Sequence, residues 1–551
     1  MARSDFIKVN QKMGWWESGE PWVWLTAAMM ATSILAVAGI LLLITFNGLT
    51  QFWPQTIYQI TYQDEGRQQV FAQLVDHETL PVQQYAESAG QILQLDERTS
   101  HISRELLKSG NRQLQPPDYR WVFSQQITQR TVPVAVLAVE RLAWGTAYGE
   151  PVSLLLGAAN TLVTDPTLLL DRVQFQIERA TALREQVEDL EQGRMRQLSR
   201  ALANATAADQ GNAPATISSL NNQLRRTETE RQILLQELNQ DLLTLRLADG
   251  QFLEIPVAQI VRVWQPNRMS WEQKLLHFLS GLMAFLLEDP REANTEGGIF
   301  PAIFGTILMV LLMSVLVTPF GVIAAVYLHE YARPGMFVNA IRVAVNNLAG
   351  VPSIVYGVFG LGFFVYFLGG NLDELFYSET LPAPTFGTPG LLWASLTLAL
   401  LTMPVVIVST EEGLARIPSS LREGSFALGA TQAETLFRII LPMASPAILT
   451  GIILAIARAA GEVAPLMLVG VVKLAPSLPV DATFPYIHLD QKFMHLGFHI
   501  YNVGFQTSNI EAARPVVYAT ALLLVLIIVA LNLTAILLRK RLEGRYRGIE
   551  T

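Results

Sequence analysis

Long uninterrupted apolar runs stand out along this chain of 551 residues. A helix rises about 1.5 Å per residue, so roughly 20 apolar residues cross a bilayer. Six segments reach that length: Trp22–Phe46, Pro301–Leu328, Asn347–Leu368, Leu391–Ser409, Ala444–Val471 and Pro515–Leu538. They predict six membrane-spanning helices. A seventh apolar stretch, Trp271–Leu287, contains Glu272, Lys274 and His277 and reads as an amphipathic helix lying in the interface. Basic residues set the orientation, because cytoplasmic loops are enriched in Lys and Arg. One set of flanks carries Arg3, Lys8, Lys12, Arg333, Arg342, Arg416, Arg422 and Arg438, then Arg539, Lys540, Arg541, Arg545 and Arg547. The opposite short loops hold Lys473 and Lys492, with Arg514 at a helix edge. Both termini are therefore expected in the cytoplasm, and residues of about 49–298 outside it.

That outer segment has the periodicities of a separate mixed α/β domain. Asp118–Val139 is rich in Val and aromatics, as in strands. After Asp165 the pattern turns helical, with Val173, Ala180, Leu183, Val187 and Leu190 forming a seam. A turn is expected at Ala205–Pro214, around Gly211, followed by a second helix with Leu220, Leu224, Leu234 and Leu238 on one face. Together they predict a helical hairpin over about 167–245, its second arm interrupted by Thr227 and Arg231. Such an arm serves equally as a docking element for a partner and as a self-packing spacer. Leu245–Val263 reads as strands, with Asp249-Gly250 as a hairpin turn.

Composition agrees with a membrane protein. Charged residues are 16% of the chain and hydrophobic ones 51%, with a mean hydropathy of +0.31; soluble domains carry about 25% charged residues. The net charge of −8 gives no sign of nucleic-acid binding, and the lack of cysteine excludes disulfides and thiolate metal sites. The polar stretch before the first apolar run is unlike a cleavable signal. The expected domains are 1–48 (tail and first span), 49–298 (inserted domain with the hairpin and the interfacial helix 271–287) and 299–551 (five further spans with a cytoplasmic loop at 411–442).

That loop is the most informative stretch. It reads Leu421-Arg-Glu-Gly-Ser-Phe-Ala-Leu-Gly429, then nine residues, then Ile439-Ile-Leu-Pro442. A short helix near Ser420–Leu428 can present small residues to a groove on another protein, Gly429 can end it, and Pro442 suits the start of the next membrane helix. The pattern resembles the loop shared by permease subunits of ABC importers. Glu423, Gly429, Ile439, Leu441 and Pro442 match at the family's spacing, and Gly424 and Ser425 replace its two alanines. The resemblance implies that these seven residues couple the chain to ATPase subunits. No phosphate-binding Gly-x-x-x-x-Gly-Lys-Ser/Thr loop occurs here, so hydrolysis must reside in other chains and this chain is not expected to be an enzyme.

The fifth apolar run contains Arg458 and Glu462, four apart and so on one helical face. A charge at membrane depth costs about 2.5–3.5 kcal/mol even on insertion scales, so the pair must face protein or water. A guanidinium fork suits a phosphate oxyanion, and a structural ion pair is the equal alternative on physics alone. The run Arg458-Ala-Ala-Gly-Glu462-Val-Ala-Pro465 resembles that of the A-type permease of the bacterial phosphate-specific transporter. Asn294-Thr-Glu-Gly-Gly298, Tyr327-Leu-His-Glu-Tyr331, Ile341-Arg342, Pro352-Ser-Ile354 and Thr410-Glu411 resemble it too. The resemblance covers about 290–545 well and leaves the insertion aside. It implies the type I ABC-importer fold: an all-α polytopic membrane protein of six spans. It also implies alternating access, with Arg458 and Glu462 on the path of inorganic phosphate. The implied partners are a PstC-type permease, two PstB-type ATPase subunits, a periplasmic phosphate-binding protein and membrane lipid, with no cofactor, metal or nucleic acid.

Three other readings remain at this stage. The cargo could be sulfate, molybdate or another oxyanion. The first two spans with a large outer domain resemble a receptor layout, although no signalling domain follows. The third is an intramembrane enzyme, since His488, His495 and His499 cluster in the last outer loop; no His-Glu-x-x-His run occurs, and a solvated loop is expected there rather than a metal site.

Overall fold

The computed structural model describes residues 16, 19–63, 67–81, 101–157, 161–208, 214–378, 383–481, 486–507 and 509–546. Arg3, Lys8, Lys12, Arg547 and the turn expected at Gly211 lie outside the described residues. The chain divides into two compact units, one of residues 1–51, 302–365 and 389–551, the other of residues 52–301 and 366–388.

Six helices are long and apolar enough to cross a membrane: Glu20–Thr50, Phe300–Tyr331, Ser353–Phe376, Leu391–Ala415, Gln432–Gly461 and Ile510–Arg541. They are spans one to six below. In the first unit the fourth span is the hub, with 67% of its apolar window buried inside the chain against none in the first and sixth spans. Met309, Val310, Met313 and Val317 of the second span pack with Leu398 and Val406 of the fourth and Ala455 and Ala459 of the fifth. Two expectations need correction. The third span begins at Ser353 instead of Asn347, because Pro352 takes the N-cap with ψ of 135°. Pro319 and Pro404 lie inside their helices. The fifth span lies about ten residues earlier than its hydropathy suggests, ending at Gly461 because Glu462 leaves the helical region with ψ of 130°.

The second unit is built on two antiparallel sheets. Strands β1 (Ile57–Gln63), β2 (Arg67–Pro81), β3 (His101–Lys108), β4 (Tyr119–Phe123) and β5 (Ile127–Thr131) lie in the order β4-β3-β2-β1-β5. Strands β6 (Leu137–Arg141), β7 (Ala147–Leu156), β8 (Thr161–Val163), β9 (Leu242–Arg246), β10 (Phe252–Pro256) and β11 (Ile260–Trp264) form a second sheet, β10-β9-β7-β6-β11 with β8 paired to β7. Ile57, Phe71, Val136, Ala138 and Tyr148 join the two sheets in one buried cluster. The expected hairpin turn at Asp249-Gly250 is present, with Gly250 at φ +87°.

The helical hairpin grows from the second sheet. Its first arm is Pro166–Asp189, continued by a π-helical turn at Leu190–Met195 and by Arg196–Ala208; its second arm is Pro214–Leu238. Leu169, Val173, Ile177, Ala180 and Leu238 pack into the sheet's core, which fixes the base. Thr227 and Arg231 do not break the seam. Thr227 is 1% exposed and donates its hydroxyl hydrogen to the Gln223 carbonyl, so its polarity is satisfied within the helix. Arg231 clamps the arms, pairing with Glu228 on its own helix and with Glu191 on the other. Trp271–Leu287 is a helix, N-capped by a Ser270–Gln273 capping box, and is not among the six span candidates.

Candidate functional site: the loop after the fourth span and the break after the fifth

The loop after the fourth span folds into the expected short helix, Ser419–Ala427. Pro418 begins it and Gly429 ends it, at φ +87°. A Cβ at Gly424 or Gly429 would meet no atom within 4 Å. Packing within the chain therefore does not require Gly424, and Gly429 is required by its left-handed backbone. Glu423 is exposed, and Leu428 at the tip is 91% exposed. Ser425 departs from the expected outward small-residue face. It is buried, with its Oγ 2.8 Å from Thr435 Oγ1, and so ties the short helix to the segment leading into the fifth span. Thr431 caps that segment in a box with Glu434. Beyond it lies a π-helical turn, Leu436–Ile440, and Pro442 falls in the first α-helical turn after it. Ile440 is buried with Leu414, Ile417 and Ala444, and Leu441 is packed against them; Ile439 is only half-buried.

Two arginines that read as orientation or docking residues have specific intrachain partners. Arg422 donates to Glu330 Oε1 at 2.8 Å and to the Leu414 carbonyl at 3.2 Å. Arg342 donates to the Leu328 carbonyl at 3.0 Å and lies 3.6 Å from Glu411. The short helix is thereby fastened to the end of the second span. Glu330 was not foreseen in this role, although it sits inside the Tyr327–Tyr331 stretch. Arg416 is exposed.

At the far end of the fifth span, Arg458 Nε lies 3.5 Å from Glu462 Oε1, with both side chains partly exposed. They meet as residues i and i+4, as expected, but on the helix's final turn: Arg458 is on the last turn and Glu462 is the residue at which the helix stops. Chain direction is then reset by Pro465 and a short helix, Leu466–Val469. This break is packed against the third and fourth spans. A Cβ at Gly357 would come within 2.6 Å of Pro465 Cα, and one at Gly360 within 3.0 Å of Val469. Gly390 donates to the Val469 carbonyl at 3.0 Å. Gly362, two residues beyond Gly360, has open space beside it.

The three histidines are buried, not solvated, although Leu474, Tyr486 and Ile487 of the same loop are exposed. His495 is 1% and His499 2% exposed, because Phe493, Met494 and Leu496 carry the segment into the core and Leu496 N–H donates to Thr306 Oγ1. His495 Nδ1 accepts from Gly497 N–H and caps the helix Leu496–Phe505. Burial holds both rings down at about 4. His488 pairs with Asp481 at 2.9 Å. Among the described residues no group of three or more His, Cys, Asp or Glu could hold a metal ion.

Six apolar helices of spanning length, with a short helix between the fourth and fifth, are those of a multi-pass membrane protein. The profile described as "Binding-protein-dependent transport system inner membrane component" matches residues 317–548. The chain is 34% identical over 245 residues to "Phosphate transport system permease protein PstA 1" of Mycobacterium tuberculosis (strain CDC 1551 / Oshkosh), covering 44% of this chain and 71% of that one. It is 38% identical over 195 residues to "Phosphate transport system permease protein PstA" of Mycobacterium leprae (strain TN), covering 35% of this chain and 56% of that one. The chain belongs to the PstA family of phosphate transport system permease proteins. It spans between a little over half and about seven-tenths of the length of these relatives. A solved chain titled as the MetNI methionine ABC transporter in inward-facing conformations aligns with 44% of this chain and 94% of its own, at 19% identity and a TM-score of 0.33, a likeness too loose to define topology.

Proposed function

We propose that this chain is the PstA-type permease subunit of an ATP-driven importer of inorganic phosphate, with the type I arrangement of spans. It would line the path with a second, PstC-type permease, receive phosphate from an extracytoplasmic binding protein, and be driven by two PstB-type ATPase subunits. It would itself hydrolyse nothing and need no cofactor. Both termini would be cytoplasmic and the two-sheet domain extracytoplasmic, as the basic flanks require.

The observation that supports this reading best is Arg458 beside a helix break. An arginine on the last turn of an apolar helix keeps a fork of donors for an oxyanion, and Glu462 at 3.5 Å offsets part of its charge. The anion would then be held loosely enough to leave, as conduction requires. At the other end, the exposed Glu423 and Leu428 and the open space over Gly424 leave a small, accessible surface for the ATPase.

The test is uptake of radiolabelled phosphate by cells whose only phosphate importer contains this chain, with sulfate and molybdate as competitors. Arg458→Ala should lower uptake at least tenfold while the second permease and the ATPases still copurify, and Arg458→Lys should retain part of it. Unchanged uptake in Arg458→Ala removes the arginine from the path. Inhibition by sulfate or molybdate at phosphate-like concentrations would change the cargo and leave the coupling assignment standing.

A further inference from the structure

The helix Trp271–Leu287 carries an apolar stripe on its exposed side. Trp271, Leu275, Leu276, Leu279, Met283 and Leu287 are exposed, with Trp271 at 68% and Leu276 at 67%, and Phe285 is its one buried residue. Glu272, Gln273 and Ser280 are exposed beside the stripe, and the half-buried His277 ring lies tilted against Trp264, 4.8 Å between ring centroids. A contiguous apolar stripe of this kind needs a cover.

The chain around it says what the cover is. Phe52 and Trp53 follow directly on the first span, and their rings pack on this helix: Phe52 against Phe285 at 5.2 Å and Phe278 at 6.4 Å, Trp53 against Phe278 at 6.2 Å. At its other end Ile299 N–H donates to the Phe285 carbonyl at 2.9 Å and Phe300 N–H to the Glu288 carbonyl at 3.2 Å, and Phe300 is the first residue of the second span. The helix is thus tied to the points where the chain leaves the bilayer and re-enters it.

Beside the stripe is an open cavity of about 710 Å³. Arg268, Trp264, Gln273, His277 and Ser280 line its polar side and Leu276 its apolar edge, and no carboxylate lines it. The Trp264 indole N–H is screened from water and has no acceptor. Burial and the nearby Arg262 hold His277 below its usual range, so Arg268 carries the cavity's positive charge. An anionic acceptor continuous with an apolar body fits this pairing of donors and stripe.

We infer that Trp271–Leu287 lies in the membrane interface and that the cavity at Arg268 and Trp264 takes the phosphodiester headgroup of an anionic phospholipid, whose chains run along Leu275, Leu276, Leu279 and Met283. The site anchors the inserted domain to the bilayer, and it does not depend on which anion the importer carries.

Two measurements on the full-length protein test this. In phosphatidylglycerol nanodiscs, a membrane-soluble aryl azide should label residues 271–287; their protection from the label would overturn the placement. With delipidated protein in detergent, binding of fluorescent phosphatidylglycerol should fall roughly fivefold in Arg268→Ala, the usual worth of one basic residue near an anionic lipid, and stay near wild type in Arg268→Lys. Phosphatidylcholine should bind more weakly, and millimolar inorganic phosphate should not displace the lipid. Equal binding by wild type and Arg268→Ala overturns the headgroup site. Displacement by inorganic phosphate overturns it too, and reassigns the cavity to the free anion.

Discussion

Gly357→Ala tests whether the break after the fifth span is held in place by the third. The added methyl would lie 2.6 Å from Pro465 Cα and 3.0 Å from its carbonyl oxygen. Both are backbone atoms, so no side-chain rotation relieves the clash, and the Arg458–Pro465 run must move. Overpacking of this kind costs about 1–3 kcal/mol. Alanine returns about 0.5–1 kcal/mol over glycine inside a helix. The net, about 0–2.5 kcal/mol and centred a little above 1, disfavours the native seating roughly eightfold at its midpoint. Gly362→Ala is the control, because a Cβ there meets nothing within 4 Å. Initial phosphate uptake, at matched membrane levels of the chain, should drop several-fold for Gly357→Ala and stay near wild type for Gly362→Ala. The heat-aggregation midpoint of the purified protein should fall only for the former. Equal behaviour of the two variants would refute the argument, since only at Gly357 does the added Cβ meet a backbone atom.

Three further outcomes are expected. Gly429→Asp must hold a side chain at φ +87°, which costs about 1–2 kcal/mol for most residues and somewhat less for Asp; it and Glu423→Lys should reduce ATPase copurification several-fold, and full retention by both would displace the docking surface from this helix. His495 and His499 are held at about 4 when folded and return to about 6.5 when unfolded, so the unfolded chain binds the extra protons. Stability should be level above about pH 7 and decline as pH falls from 6.5 towards 4, by up to about 1.4 kcal/mol per pH unit for each ring; a melting midpoint that does not move over that range, or an unchanged slope in His499→Phe, would contradict the burial. Gly451→Ala places a Cβ 2.8 Å from Ser409 Cβ and should slow transport with the ATPases still bound; their release would show that the contact serves assembly instead.

The bilayer made the spans legible, because roughly 20 apolar residues in a row have few other uses. Hydropathy does not register a change in ψ, however. Val463–Val471 continues the apolar run past Glu462, so the helix end at Gly461 could be found only from backbone geometry. The same blindness hid the burial of His495 and His499, although Phe493, Met494 and Leu496 beside them were the available signal. In the two-sheet unit the hairpin was readable from its heptad spacing. Strand β1 was not, because Ile60, Thr61 and Tyr62 are buried in succession and leave no alternation to read. Thr227 looked like a fault in the seam because its hydroxyl is polar in isolation and satisfied only in the helix. Glu423, Gly429 and Arg458 were legible through a resemblance, whereas the Arg422–Glu330 and Ser425–Thr435 contacts needed coordinates.

The two ends of the proposed machine share one rod. Gln432–Gly461 is helical throughout, about 45 Å long, with Thr435 held by Ser425 near one end and Arg458 on the last turn at the other. The rod packs on the fourth span through two glycines, Gly413 against Ala447 and Gly451 against Ser409 and Val406. The tighter of the two, at Ala447, lies near the rod's middle: Thr435 is about 18 Å away along the axis and Arg458 about 17 Å. A tilt about that contact therefore moves the two ends by nearly equal amounts in opposite directions. The π-helical turn at Leu436–Ile440 is where this rod is most able to flex. Its burial against Leu414 and Ile417 keeps that flexibility from absorbing the stroke.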